Sequence, residues 1–153
     1  MSEPVSNLGK WRIDLLEEAG IHEFYYFTYL DNLPGILHFG ILPKNEVFKT
    51  GNAPRSFANE EVQKLRHDRI VELSNYQKIS VHNVVPVYLT PLTPTLYAVR
   101  EISLEIVFVV VEAKFIGNDS IQFCFTDGNA GASETKIYRN LRHHKHIPWE
   151  VIR

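Results

Sequence analysis

Cysteine is almost missing from this sequence: Cys124 is the single one among 153 residues, so no internal disulfide can form. It sits in the alternating run Ile121-Gln122-Phe123-Cys124-Phe125, a pattern that predicts a buried strand position and fits a reducing compartment. Long apolar runs are missing as well. The longest, Ile106 to Val111, is far too short to span a bilayer, and the N-terminus MSEPVSNLGKWRIDLL lacks a basic start followed by an apolar stretch. Both absences predict a soluble, cytoplasmic chain with no membrane partner. Charge of one sign is not in excess either. With 16 Lys and Arg against 18 Asp and Glu, the molecule is no polycation that coats nucleic acid, and any phosphate binding must be local. Walker, GxGxxG, GxSxG and HExxH patterns are absent, which removes the main support for P-loop, Rossmann, hydrolase-elbow and zinc-protease chemistry. His143, His144 and His146 cluster in RHHKH, but no cysteine accompanies them and Arg142 and Lys145 repel a cation, so no metal site is expected.

What is present is enough apolar residue, 44%, for one domain over residues 1–153, with no internal repeat or low-complexity tract. Trp11, Ile13, Leu15, Leu16 and Ala19 fall at helical spacing, and Gly20 is placed to stop that helix. Glu23 to Tyr29 is dense in aromatics and predicts a strand. The turn Asp31-Asn32-Leu33-Pro34 then starts a short helix through His38, with Asp31 or Asn32 as N-cap and Gly40 as C-cap. Good helix formers predict a charged helix from Ala58 to Leu73 with Asn59 as N-cap. Asn83 to Thr90 looks like a strand confined by Pro86 to an edge, a start or a bulge, and PLTPTLYAVR reads as a rigid turn into a short helix. Glu101 to Ala113 is the clearest strand, apolar on both faces and therefore expected at the centre of a sheet. Ile121 to Phe125 adds another. The class is α+β, with strands and short helices irregularly interspersed.

Two strand-exit turns stand out. FTYLDNLPGI (Phe27 to Ile36) and FCFTDGNA (Phe123 to Ala130) each pass from strand-like aromatics into a turn rich in Asp, Asn, Gly or Pro, a common way to present polar groups to a ligand. From Lys136 to Lys145 the cations Lys136, Arg139, Arg142 and Lys145 recur every third residue, and the acidic residues leave them alone. If helical, that segment is either a solvated face or a strip that contacts phosphates. Lys64, Arg66, His67 and Arg69 form a second basic cluster, interrupted by Asp68.

The blocks YYFTYLDNLPGILHFGIL, SFANEEVQKLRHDR, VHNVVPVYLTPLTPTLYAV, FCFTDGNAGA and PWEVIR occur in the order found in the DarT family, toxins that ADP-ribosylate DNA. The resemblance covers about residues 25–153. It implies an ADP-ribosyltransferase-like split β-sheet with short helices, a cleft for NAD as substrate, and single-stranded DNA across an adjacent groove. The first turn is then the cofactor-binding one, with Tyr26, Phe27, Thr28, Asn32 and Gly35 as contacts; family members usually have histidine, bonded to a ribose hydroxyl, where this chain has Tyr26. Arg66 best matches the family's essential arginine and Arg69 is second, on the NAD side; a permanently charged fork suits a pyrophosphate or a reacting base. The alternative for Arg66 is an ordinary surface arginine. For DNA the resemblance implies Thr126, Asp127 and Asn129 at the second turn, Tyr88 and Tyr97 as stacking surfaces, and Arg139 and Arg142 on phosphates. Turn-capping by Asp127 and core packing by Tyr88 are the competing roles. A catalytic glutamate lies on a strand beyond the family's counterpart of PWEVIR, and neither Glu134 nor Glu150 stands where the family places it. The expected fold is therefore C-terminally incomplete. Two functions follow from the resemblance: an NAD-dependent transferase acting on a base of single-stranded DNA, thymine above all, as the toxin countered by a macrodomain antitoxin, or a catalytically silent relative that only binds single-stranded DNA or NAD.

Overall fold

The computed structural model describes residues 7–51, 54–57, 64, 66 and 68–152. Helix α1 spans Asn7–Glu18, and its inward row, Gly9, Arg12 and Leu16, continued by Ala19 just past its end, recurs every three or four residues. Gly20, at φ +67°, ends it as expected. The row packs on the 3-10 turn Ala113–Gly117. There a Cβ on Gly117 would lie 2.8 Å from the Ile13 side chain at Cδ1 and 3.3 Å from the Gly9 carbonyl oxygen. Leu16, Ala19, Ile21, Phe24, Ala113, Ile116 and Leu141 form the core.

Arg12 is a buried cation that the sequence pattern did not single out. It is 6% exposed, yet its Nη1 donates to the carbonyls of Ile116 (3.1 Å), Asn118 (3.2 Å) and Ile121 (3.0 Å), and its guanidinium lies 5.2 Å from the Phe123 ring centre. Nη1 carries two N–H groups, so one of them is shared between two of the three carbonyls. Arg12→Ala is expected to destabilise the chain by about 2 kcal/mol, less than three full charged bonds because two of the three bonds are only part-buried. Urea denaturation measures this, and a loss below about 0.5 kcal/mol, the level of an ordinary surface substitution, would contradict it.

Strand β1, Glu23–Tyr29, is where the aromatic run predicts it, and it pairs antiparallel with β4, Ile106–Glu112, in the register Tyr26↔Val109 and Phe27↔Phe108. The expectation of a long central β4 needs correction. Arg100–Glu105 is a 3-10 segment rather than strand, and among the described residues β4 pairs with β1 alone, leaving Phe108 40% and Val110 51% exposed. A run of β-branched residues reports strand propensity on both faces whether or not both are covered.

On its other edge β1 takes up, among the described residues, Tyr88 alone, through two 2.8 Å bonds between the backbones of Tyr25 and Tyr88. The expected strand over Asn83 to Thr90 thus shrinks to one bridge. Val81–Asn83 is a 3-10 turn, and Pro86 has no N–H with which to extend a ladder. The expected helix from Ala58 to Leu73 is also corrected. Lys64 and Arg66 are helical, but Asp68 turns the chain, and Ile70–Glu72 is strand β2, paired with β3, Lys78–Ser80. The proposed cap Asn59 lies outside the described residues. The strand expected over Ile121 to Phe125, with Cys124 buried in it, is corrected: Ile121 to Cys124 are not strand, and only Phe125 enters β5, Phe125–Thr126, which pairs with β6, Ile137–Tyr138. Cys124 is half-buried, and desolvation pushes its thiol pKa up. The result is the α+β class, with three small antiparallel pairs and short helices among the described residues, and no described helix is long and apolar enough to cross a membrane.

Candidate active site

The end of β1 carries a row of polar side chains. Thr28 is 5% exposed, and its Oγ1 accepts from Asn32 Nδ2 at 2.9 Å. Tyr26 is hydrogen-bonded to Thr28; burial first, and Tyr88 second, push its phenol pKa up, while the Thr28 bond draws it back. It therefore stays a neutral donor at physiological pH. Asn32 also grips residue 55 from both sides, donating to the Arg55 carbonyl (2.9 Å) and accepting from the Arg55 amide (3.1 Å). That employment corrects the sequence expectation: Asn32 precedes helix α2, Leu33–Phe39, but neither it nor Asp31 supplies a side-chain cap. Gly35 lies just beyond, with nothing within 4 Å of where a Cβ would be.

Aromatic rings back this row. Phe27, 7% exposed, lies against Tyr88 (centroids 5.1 Å apart), Phe57 (5.5 Å) and Phe108 (6.0 Å), and Phe57 also stacks on Tyr29 at 4.2 Å. Phe27 and Tyr88 thus spend ring surface on each other. Arg55 covers the Tyr29 ring at 3.9 Å and reaches Asp31 (3.2 Å) and Glu105 (2.6 Å). Sequence reasoning passed over Arg55, since a lone loop arginine carries no signal until its three partners, up to 50 residues away, are folded around it.

The second group gathers around the other turn. Arg66 Nη2 donates to Asn129 Oδ1 at 3.1 Å, and the same oxygen accepts from the Gly131 amide at 2.9 Å. Arg66 Nε is buried without a hydrogen-bond partner, and a Cβ on Gly131 would come within 3.0 Å of it. Three residues on, Arg69 donates to the carbonyls of Ala132 and Thr135, the latter at 2.8 Å. Both arginines therefore grip one loop, Arg66 by a side chain and Arg69 by its backbone. Inside the loop, Asp127 accepts from the Lys136 amide (2.9 Å) and the Tyr138 hydroxyl (3.3 Å), while Thr126 donates to the Gly128 carbonyl (2.7 Å). Asp127 orders the turn, the structural role weighed for it.

The remaining candidates stand apart from these groups. Tyr97, on the short helix Pro94–Ala98, is 68% exposed under Arg100. Arg139 pairs with Glu72 (3.5 Å) and covers Tyr76 at 3.9 Å, and Arg142 lies 5.0 Å from the Trp11 ring. Two clefts open elsewhere, one beside Ile21, Tyr25 and Trp149, the other between β2 and residues 137–146. Among the described residues no three His, Cys, Asp or Glu side chains converge as a metal site would require.

Comparison with known proteins identifies the frame that holds these groups. The model of a family described as the ssDNA thymidine ADP-ribosyltransferase DarT matches residues 25–153. The chain belongs to the DarT family. A DNA ADP-ribosyl transferase from Thermus sp. (strain 2.9) is 29% identical over 136 residues, 84% of this chain and 63% of that protein. A DNA ADP-ribosyl transferase-DNA ADP-ribosyl glycohydrolase fusion protein from Thermosipho africanus is 34% identical over 121 residues, 76% of this chain and 29% of its own length. The structure of the Thermus DarT in complex with ADP-ribosylated ssDNA superposes with a TM-score of 0.71 at 28% identity, covering 86% of this chain and 64% of that one; the same protein with NAD+ gives 0.63 at 25% identity, covering 85% and 63%. The mixed fold of short helices and small antiparallel sheets is the DarT one. The chain spans just under two thirds of the Thermus protein's length.

Proposed function

We propose that this chain binds NAD and single-stranded DNA and transfers ADP-ribose from the one to a base, thymine, of the other. Family membership over residues 25–153 carries the reading, and it is supported by the Thermus relative having been captured both with NAD+ and with ADP-ribosylated ssDNA. Tyr26, Thr28, Asn32 and Gly35 would face the nicotinamide ribose, with Phe27 supporting them from the core. Arg66 holds a free buried N–H, and its fork suits the pyrophosphate or the reacting base. Arg69 fixes the loop of Asn129 and so acts on the site through Arg66. Thr126, Asp127 and Asn129 border the DNA in this reading, and Tyr97, Tyr88, Arg139 and Arg142 extend it.

In the transfer, the bond between nicotinamide and ribose breaks with the electron pair leaving on nicotinamide, positive charge builds on the ribose, and a base nitrogen bonds to the anomeric carbon as its proton passes to solvent water. Pairing hides such nitrogens, so the substrate is single-stranded; extracting a base from a duplex costs a few kcal/mol. The biological setting is that of a cytoplasmic toxin with a macrodomain antitoxin, for which the Thermosipho fusion of transferase and glycohydrolase is the supporting relative.

The test incubates the purified chain with NAD radiolabelled in the ADP-ribose part and with single-stranded oligonucleotides that contain or lack thymine. Label on the thymine-containing strand, and none on the duplex, is the expected result. The share of the relatives' length spanned keeps one further reading in play, a chain that binds without turnover. Retained NAD and DNA binding with no transfer selects that reading, and neither binding nor transfer overturns both.

A further inference from the structure

Ile137, Tyr138, Arg139, Asn140, His143 and His146 line a cleft of about 460 Å³ against Ile70 and Glu72 of β2. Asn140 accepts from the Arg142 amide at 3.0 Å and starts a 3-10 segment over Leu141–His146. Its period of three sorts the side chains into rows. Leu141 and His144 are buried, Arg142 and Lys145 form an exposed basic row, and His143 and His146 form an exposed imidazole row on the cleft. The cation strip expected over Lys136 to Lys145 is thereby split, since Ile137–Tyr138 is strand and only Arg142 and Lys145 share a row.

The imidazole row caps an aromatic column. Tyr138 stacks with Phe125 (5.3 Å, 21°) and with His146 (5.1 Å, 4°), and His143 stands edge-on to both Tyr138 (5.8 Å) and His146 (5.9 Å). The column is held rigid because the Tyr138 hydroxyl is bonded to Asp127. It presents the outer face of His146 as the next surface for a flat ring. Glu72, the one acidic lining residue, is neutralised by Arg139 at 3.5 Å and stands opposite Lys78 in the β2–β3 register, so a phosphodiester is not repelled.

We infer that this cleft is a subsite for one unpaired nucleotide of single-stranded DNA, its base stacked as the fourth layer on His146 and its flanking phosphates on Arg142 and Lys145. This deepens the DNA-binding part of the proposed function and rests on it. A π-face accepts any base, so the subsite adds affinity without choosing a sequence.

Fluorescence anisotropy with a labelled single-stranded octamer tests it. His146→Ala is expected to weaken binding about 10-fold at every salt concentration, and an abasic octamer to bind the unaltered chain as weakly. Arg142→Glu combined with Lys145→Glu is expected to flatten the dependence of affinity on salt. All three residues are exposed, so the fold should tolerate these changes, which a thermal melt checks. If the octamer binds and His146→Ala leaves its affinity unchanged, the subsite is refuted while the DNA-binding reading stands. Equal competition by a polyglutamate peptide refutes it too, since charge alone would then explain the binding. If the unaltered chain binds no octamer, the DNA-binding reading itself falls and the subsite with it.

Discussion

Arg66→Ala should weaken NAD binding by about 1.5–3 kcal/mol, roughly 10- to 150-fold, the usual worth of a hydrogen bond from a charged group. The expectation comes from what surrounds the guanidinium. One end is tethered to Asn129 at 3.1 Å, Gly131 leaves no room for a side chain over Nε, and that N–H is buried with no partner of its own. A buried, unsatisfied donor on a permanent cation is an arrangement that an anion relieves. Arg66→Lys should restore little, because an ammonium on a flexible stem cannot reproduce the fork that spans Asn129 and a phosphate. Stability should change by under about 1 kcal/mol, since the tether to Asn129 is exposed. Titration calorimetry with NAD, paired with thermal melts, measures both quantities. Unchanged affinity in the Ala variant would return Arg66 to the alternative of an ordinary surface arginine.

Phe27→Ala should cost about 4 kcal/mol, within the range for emptying a buried aromatic site. The ring is 7% exposed and is met by Tyr88, Phe57 and Phe108, which belong to three separate segments and cannot all collapse into the space it leaves. A chain of this size commonly has only about 5–15 kcal/mol of stability, so the variant should sit near the edge of folding, with a Tm lower by about 8–16 °C. Phe27→Leu should lose much less and keep NAD affinity, because Phe27 supports the polar row from behind. Chemical denaturation decides the point. A cost below about 1.5 kcal/mol would mean that the ring is not packed as described.

Much of the frame was legible in the residues. The aromatic density of Glu23–Tyr29 marked β1, the spacing of Leu16 and Ala19 marked the inner face of α1, and Gly20 and Gly40 marked two helix ends. These signals are local, and local signals survive folding. Expectations failed where a distant partner decided the outcome. Ile70–Glu72 is a strand because β3 lies beside it, against the helical propensity of the residues before it. Asn83 to Thr90 contributes a single bridge because β1 offers an edge only where Tyr25 meets Tyr88. Asn32 was expected to cap a helix and instead ties β1 to residue 55.

The candidate site shows the same division. Arg66 and Asn129 were each visible as polar residues in motifs that resemble DarT, but the bond between them crosses 63 positions. Arg12 and Arg55 carried no pattern, since a single arginine looks the same in sequence whether it ends in water or among carbonyls and rings. His143 and His146 were dismissed as metal ligands, and only the 3-10 period reveals that they share a row facing Tyr138.

The central claim is that the row ending β1 and the arginine at position 66 serve one dinucleotide. Photo-crosslinking with NAD that carries a photoreactive group on the nicotinamide, followed by peptide mapping, tests it most directly. Label is expected on peptides from residues 26–35 and from residues 64–69, suppressed by excess NAD and lost in Arg66→Ala. Label confined to one of these segments, or displaced to the cleft of residues 137–146, would contradict it.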